Sequence, residues 1–197
     1  MFLSKTELLK LIDEKQLFIR PLLDIDQVNE ITIDLRLGYD FLVSIQGRHA
    51  YLNAASHKNE EGAFYNFFQE TRRNFGDSFL LHPNQTVLAT TLEYIRLPNN
   101  LIAILSPRSS YNRLGINLSS IVQPGYCGCF SLELTNSSNN PIKVRVGATM
   151  FQARFIFTNQ TNYFSKERKY VCSVRPEISG ANKDADLDLL EKISRIF

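Results

Sequence analysis

The sequence has no Cys-x-x-Cys pair, and its three histidines, His49, His57 and His82, are scattered. That spacing argues against a structural zinc site. No apolar run reaches the ~18 residues that a membrane-spanning helix needs. Lys5 and Glu7 stand where a secretory leader requires an uncharged core. An excess of charge of one sign is also missing. The 22 Lys+Arg and 20 Asp+Glu leave a net charge of +2, too little for a strongly basic nucleic-acid binder but compatible with a local anion pocket. There is no internal repeat and no low-complexity tract. The three cysteines, Cys127, Cys129 and Cys172, read as buried free thiols in a reducing compartment. These absences predict a cytoplasmic protein with neither nucleic acid nor membrane as partner.

What is present is the composition of a folded chain. At 197 residues and 44% apolar content, one domain can bury about 70% of its unfolded surface and needs no metal or disulfide to fold. Ser4-Lys5-Thr6-Glu7 has the form of a capping box, with an amphipathic helix behind it through Leu8, Leu11 and Ile12. The period then switches from 3.6 to 2. Residues 31–37 alternate, Gly38 predicts a break, and residues 39–45 predict a second strand. Residues 46–78 read as a polar insertion or flap with its own aromatic cluster (Phe64, Tyr65, Phe67, Phe68), either packed on the body or used in an oligomer contact. From Phe79 to Phe157 the pattern is almost wholly β. Runs at 85–97, 101–105, 116–122, 129–135, 142–146 and 150–157 are separated by turn signals such as Pro98-Asn99-Asn100 and Pro124-Gly125. Short strands without intervening helices predict a mainly β sandwich or jelly-roll-like barrel. Helical period returns near 184–196 through Leu187, Leu190, Ile193 and Ile196, in a tail that begins at about residue 171.

Three segments carry possible chemistry. Ser106 to Gly115 places Arg108, Ser109, Ser110 and Arg113 directly after an apolar strand. Guanidinium forks, hydroxyls and the N–H groups of a helical turn over 109–114 suit a phosphate, and a polar surface turn fits the same composition. In Phe130 to Asn136, alternation puts Cys129, Ser131 and Glu133 on one face and Phe130, Leu132 and Leu134 on the other. A glutamate in mid-strand is disfavoured. Either its face is enclosed, so that the carboxyl becomes a general base, or it is the wet side of the sheet. Lys166 to Tyr170 is either a mobile lid on a polyphosphate or a solvated tail.

Taken in order, the segments resemble the dCTP deaminase family within the trimeric dUTPase superfamily. Ile33-Asp34-Leu35-Arg36-Leu37-Gly38 is similar to its "VDLRLG", Leu81-His82-Pro83 to "LHPGE", and Thr91 to Pro98 to "TLE-x-(I/V)-x-LP". Arg108-Ser109-Ser110 with Arg113-Leu114-Gly115 resembles "RSSLxRLG". Pro124-Gly125-Tyr126 with Gly128 resembles "DPGWxG", Leu132-Glu133-Leu134 with Asn136 "LEFxN", and Gly147 to Gln152 "PGMxIxQ".

The resemblance runs from about Leu3 to Tyr170, within a domain of residues 1–170, and implies a distorted β-barrel or jelly-roll of the dUTPase-like type, with a short N-terminal helix and an added C-terminal helix. It implies a homotrimer with sites between subunits, and zinc-independent hydrolysis of the 4-amino group of dCTP to dUTP and ammonia. Mg2+ would accompany the triphosphate, with no metal ligand from protein side chains. By position, Glu133 would be the proton shuttle, Arg113 would polarise and position beside it, and Ser109 would hold the water. Arg108, Ser109, Ser110, Gln123, Tyr126, Gln152, Lys169 and Tyr170 would bind the nucleotide. The family's "HRIDPGW" is replaced: residues 119–126 read Ser-Ser-Ile-Val-Gln-Pro-Gly-Tyr, with no arginine and with Gln123 in the aspartate position. In the triphosphatase branch that aspartate activates water toward the α-phosphate, which a carboxamide cannot do. These departures leave two further readings: a nucleotide-binding or regulatory protein of the same fold, and a nucleotide pyrophosphatase.

Overall fold

The computed structural model describes residues 1–45, 54, 64–159, 170, 172–181 and 185–195. The chain enters through helix α1 (Lys5–Asp13). Its capping box forms as the sequence predicts: the Ser4 hydroxyl accepts from the Glu7 N–H, and the Glu7 carboxylate accepts from the Ser4 N–H at 2.8 Å. Leu8 and Leu11 are the buried face of the helix, so a short amphipathic element is held by packing more than by its own propensity.

Among the described residues eleven strands follow, with the elements β1 (Phe18–Arg20), β2 (Ile33–Ser44), β3 (Phe68–Arg72), β4 (Ser78–Leu81), β5 (Thr86–Arg96), β6 (Leu101–Pro107), α2 (Ser109–Asn112), β7 (Ile116–Asn117), β8 (Ser120–Val122), β9 (Cys127–Asn136), β10 (Ile142–Arg145), β11 (Thr149–Phe157) and α3 (Ala185–Ser194). The main sheet runs β7-β9-β5-β2-β11-β6-β8, with β1 added on β5 and β3 on β2; β4 and β10 form a separate pair. Strand β2 makes the sheet curl. Its first half pairs with β11 (Asp34↔Gln152) and its second half with β3 and β5 (Phe41↔Thr71, Phe41↔Ala89). The core lies inside this curl, with Leu35, Leu37, Phe41, Phe130, Phe151 and Phe155 all essentially sealed from solvent. Phe41 and Phe79 stack at 4.1 Å.

Two expectations are corrected. Gly38 does not break the strand: β2 is continuous, and its register to β5 shifts between Leu37 and Phe41. Glycine is needed there because a Cβ would lie 2.7 Å from the Thr90 carbonyl oxygen. Gly38→Ala must therefore push two backbones apart, and is expected to cost about 1–3 kcal/mol in a denaturant titration; an unchanged midpoint would refute the close-approach account. Within the segment read as an insertion or flap, 46–78, the described part packs on the body. Residues 68–72 are a strand of the main sheet and 78–81 pair with β10, while residues 46–53 and 55–63 lie outside the described residues. The second correction is that only Cys129 is free. Cys127 and Cys172 form a disulfide, Cα to Cα 4.9 Å, across 45 residues. The C-terminal helix stands where its period placed it.

Candidate active site

Strand β9 carries the candidate acid. Its alternation is as expected: Phe130, Leu132 and Leu134 point into the core, while Ser131, Glu133 and Thr135 face the other way. Glu133 lies opposite Leu88 of β5. It lines a cleft of about 360 Å³ together with Thr86, Leu88, Ala89, Ser131 and Phe68 on the sheet side and Tyr170, Pro176, Glu177 and Ser179 from the C-terminal tail. In the single chain the Glu133 side chain still reaches solvent. The apolar walls nevertheless raise its carboxyl pKa above the usual glutamate value, by desolvation partly offset by a hydrogen bond from its own backbone N–H. A carboxyl in this environment holds a proton more readily than a free glutamate, the property a proton shuttle uses.

Besides the Cys127–Cys172 disulfide, several contacts among the described residues fix the tail beside the cleft. The Cys172 N–H donates to the Cys127 carbonyl (2.6 Å), and the Cys129 N–H donates to the Ser173 carbonyl (2.9 Å). Arg175 pairs with Asp40 of β2 at 3.8 Å. Gly128, at φ +136°, makes the approach possible: a Cβ there would sit 2.6 Å from the Ser173 oxygen. The Gly180 N–H donates to the Tyr170 hydroxyl at 2.6 Å. Glu177, Ser179 and the Thr86 to Ala89 wall were not singled out in the sequence. The wall was within reach, since any partner of β9 presents alternate residues beside Glu133. The tail residues were not, because nothing local announces where a tail docks.

The cationic segment lies elsewhere. Residues 109–112 form the single helical turn α2, closed at Gly115, whose positive φ of +99° suits glycine. Ser109, Ser110 and Arg113 are exposed. Arg108 is half-exposed, its Nε 3.3 Å from Asp34 Oδ2 and its Nη1 donating to the Thr149 carbonyl at 3.3 Å. Beside it, Gln152 and Arg154 both donate to the Ser106 hydroxyl at 3.2 Å. None of the α2 residues lines the cleft at Glu133, so one chain does not bring Arg113, Ser109 and Glu133 together.

The remaining expected residues divide in kind. Gln123 is exposed in the turn before β9. Tyr126 is buried, its hydroxyl donating to the Cys129 carbonyl at 2.7 Å and its ring 5.5 Å from Phe130; desolvation pushes its phenol pKa up. In this chain it shapes the start of β9. Asn136, from the family-like "LEFxN" stretch, is fully buried and donates to the Leu81 and Asn140 carbonyls at 3.0 and 2.8 Å, which binds a turn and leaves no group for a ligand. Lys169 lies outside the described residues. Among the described residues, no three His, Cys, Asp or Glu side chains group as a metal site, and no helix is long and apolar enough to cross a membrane.

Comparison with known proteins agrees with this architecture. The family model described as dCTP deaminase-like matches residues 2–158. A Methanobrevibacter smithii protein named "dCTP deaminase, dUMP-forming" is 30% identical over 195 residues, covering 94% of this chain and 97% of that protein. A Haloarcula marismortui protein named "dCTP deaminase" is 35% identical over 159 residues, covering 79% of this chain and 80% of that one. Among solved structures, the 2'-deoxycytidine 5'-triphosphate deaminase of Agrobacterium tumefaciens superposes with a TM-score of 0.59 at 24% identity, over 78% of this chain and 46% of that one, which speaks for the fold. On the match of most of its length to the family model and to these relatives, the chain belongs to the dCTP deaminase-like family.

Proposed function

We propose that this protein hydrolyses dCTP at C4 of the cytosine ring, releasing ammonia and leaving dUTP, in a homotrimer whose sites lie between subunits. The observation that carries the reading is Glu133. It is a carboxyl with a raised pKa on the outer face of β9, walling a cleft of the size small-molecule sites have, in a chain of this family. Glu133 takes a proton from the attacking water and passes it to N3, then takes the second from the C4 hydroxyl of the tetrahedral intermediate and passes it to the amine, which leaves as ammonia as the C4 carbonyl forms. One carboxyl thereby serves both transfers, and the water needs no zinc. The relatives' names, dCTP deaminase in each case, support the substrate.

The α2 segment supplies the other half of the site from a second subunit. Arg108, Ser109 and Ser110 bind the triphosphate, and Arg113 approaches Glu133 across the seam, with Ser109 holding the water. Gln123, Tyr126 and Gln152 support the nucleotide side of this reading, and Lys169 and Tyr170 close on the phosphates. These α2 groups are cationic or neutral donors, which fit phosphate oxygens and not a bare cation. Mg2+ therefore enters on the triphosphate, whose charge it offsets. The proposed setting is the cytoplasm.

The product is the sharpest point. The M. smithii relative is named dUMP-forming, whereas Gln123 here offers no carboxylate to direct a second water at the α-phosphate. Incubation with dCTP and magnesium is expected to yield ammonia and dUTP without pyrophosphate. Equimolar pyrophosphate would overturn the product, and the absence of ammonia would overturn the deaminase. The shared site has its own test. Glu133→Gln and Arg113→Ala chains, each inactive as pure oligomers, are expected to regain a fraction of wild-type turnover when co-expressed, because some seams then pair an intact Glu133 with an intact Arg113. No recovery in verified mixed oligomers would place the whole site within one chain.

A further inference from the structure

The tail beside Glu133 is held by the only covalent cross-link among the described residues. The disulfide joins Cys127, at the first residue of the strand that carries Glu133, to Cys172, two residues beyond Tyr170. Two backbone hydrogen bonds flank it, Cys172 N–H to Cys127 O and Cys129 N–H to Ser173 O, so the tail adds to β9 as a one-step ladder. Beyond that point Pro176, Glu177 and Ser179 turn back over the cleft and, with Tyr170, form its outer wall. With this wall in place the cleft is about 360 Å³, the size of a ligand pocket and not a filled groove. The wall therefore completes the site.

Without the cross-link, its other fastenings are weak. Among the described residues they include two hydrogen bonds and the pairing of Arg175 with Asp40, in which the arginine is 70% exposed. Cys172 is exposed and Cys127 half-buried, so the bond is open to attack by a small thiolate. Cys129 is buried and free. Burial first, and then the nearby Glu93, push its thiol pKa up to about 11, which keeps it out of thiol exchange at neutral pH. Disulfides in reducing compartments are commonly transient and redox-sensing.

We propose that Cys127 and Cys172 form a redox latch: as the disulfide they hold the outer wall of the Glu133 cleft in its ligand-binding position, and as thiols they release it. Closure is thiol–disulfide exchange with a low-molecular-weight disulfide. One protein thiolate attacks that disulfide, giving a mixed disulfide and one free small thiol. The second protein thiolate then displaces the other small thiol. Two S–H bonds are lost from the protein and one S–S bond is gained, while the small disulfide is reduced and carries away both protons. Excess small thiol runs the sequence backwards. The inference rests on the reading of the cleft as the nucleotide site.

The experiment uses the full chain equilibrated with either oxidised or reduced glutathione, the state of each cysteine being read by alkylation and mass spectrometry. On reduction, the amides of Cys129 and Cys172 are expected to exchange with deuterium at least ~10-fold faster. The dissociation constant for dCTP, measured on Glu133→Gln so that the nucleotide stays intact, is expected to rise about tenfold and to recover on reoxidation. Cys172→Ser is expected to behave as the reduced protein in both buffers, whereas Cys129→Ser keeps the full response. Amide exchange or dCTP affinity that does not respond to thiol overturns the latch, as does a response that survives in Cys172→Ser. A protein that binds no dCTP in either state overturns the nucleotide reading and this inference with it. Binding that is present but indifferent to redox state overturns the latch alone.

Discussion

Glu133→Gln is expected to slow ammonia release from dCTP by about a thousand-fold, the usual range for removing a positioned general base, while leaving the fold and dCTP binding nearly intact. The glutamine is isosteric, and it occupies a position whose side chain does not enter the core. A surface-facing change of this kind costs within about 0.5 kcal/mol of stability. The loss should appear in kcat, since the carboxylate's role is played in the transition state.

The wild-type pH profile carries a second signature. Desolvation raises the Glu133 carboxyl, and the base works only when ionised, so the acid limb of kcat/KM is expected above the ordinary glutamate pKa of about 4.3. If Arg113 of a second subunit faces it, the cation pulls the limb down. Arg113→Gln should then lower kcat and also move the limb to higher pH. A Glu133→Gln enzyme as fast as wild type, or an acid limb unmoved by Arg113→Gln, would refute the roles assigned to these two residues.

A second large effect concerns stability and involves a carboxyl outside the catalytic proposal. Glu93 is fully buried between β5 and β2. One of its oxygens lies 3.2 Å from both the Gln27 Nε2 and the Arg36 N, and the other accepts from Arg36 N at 3.0 Å. Burial outweighs these bonds and the nearby Arg36 charge and raises its pKa from 4.5 to about 7. The folded state therefore keeps this proton up to about pH 7, while the unfolded chain releases it near pH 4.5. Between those values the unfolded state binds fewer protons, so stability falls as pH rises; above about 7 the loss is complete and the curve flattens. A shift of this size corresponds to about 3 kcal/mol.

Urea titrations of the wild type are expected to show that decline between about pH 4.5 and 7. In Glu93→Gln it should largely vanish, because the amide never ionises and its oxygen can still accept from both donors. Parallel pH dependences in the two proteins would show that Glu93 titrates normally in the fold.

Much of the architecture was legible because the residues that build it obey local rules. The Ser4/Glu7 pair is a reciprocal cap within one turn of chain. The alternation of Phe130, Leu132 and Leu134 against Ser131 and Glu133 follows from the two-residue period of a strand. The errors fall where the deciding atom is distant in sequence. Gly38 is read as a terminator until the Thr90 oxygen is seen to need its empty side. Strands β1 and β3, three and five residues long, are too short for a period to register and exist because β5 and β2 offer open edges. The pairing of Cys127 with Cys172 is set by where the tail lands, which no spacing rule supplies. At the candidate site, Glu133 and the Arg108 to Arg113 segment were both visible as chemistry. That they occupy separate regions of one chain is a fact of three-dimensional arrangement.

Strand β2 bonds to β5 through one half and to β11 through the other, and this split has a consequence during synthesis. Ile33 emerges from the ribosome early, but its partner Ala153 follows only after on the order of ten seconds of elongation. Until then half of a long apolar strand has β-edge hydrogen-bonding groups with no mate in the nascent chain. Ribosome-associated chaperones would have that interval to guard, and a stall before residue 149 would leave a polypeptide prone to sticking to its neighbours.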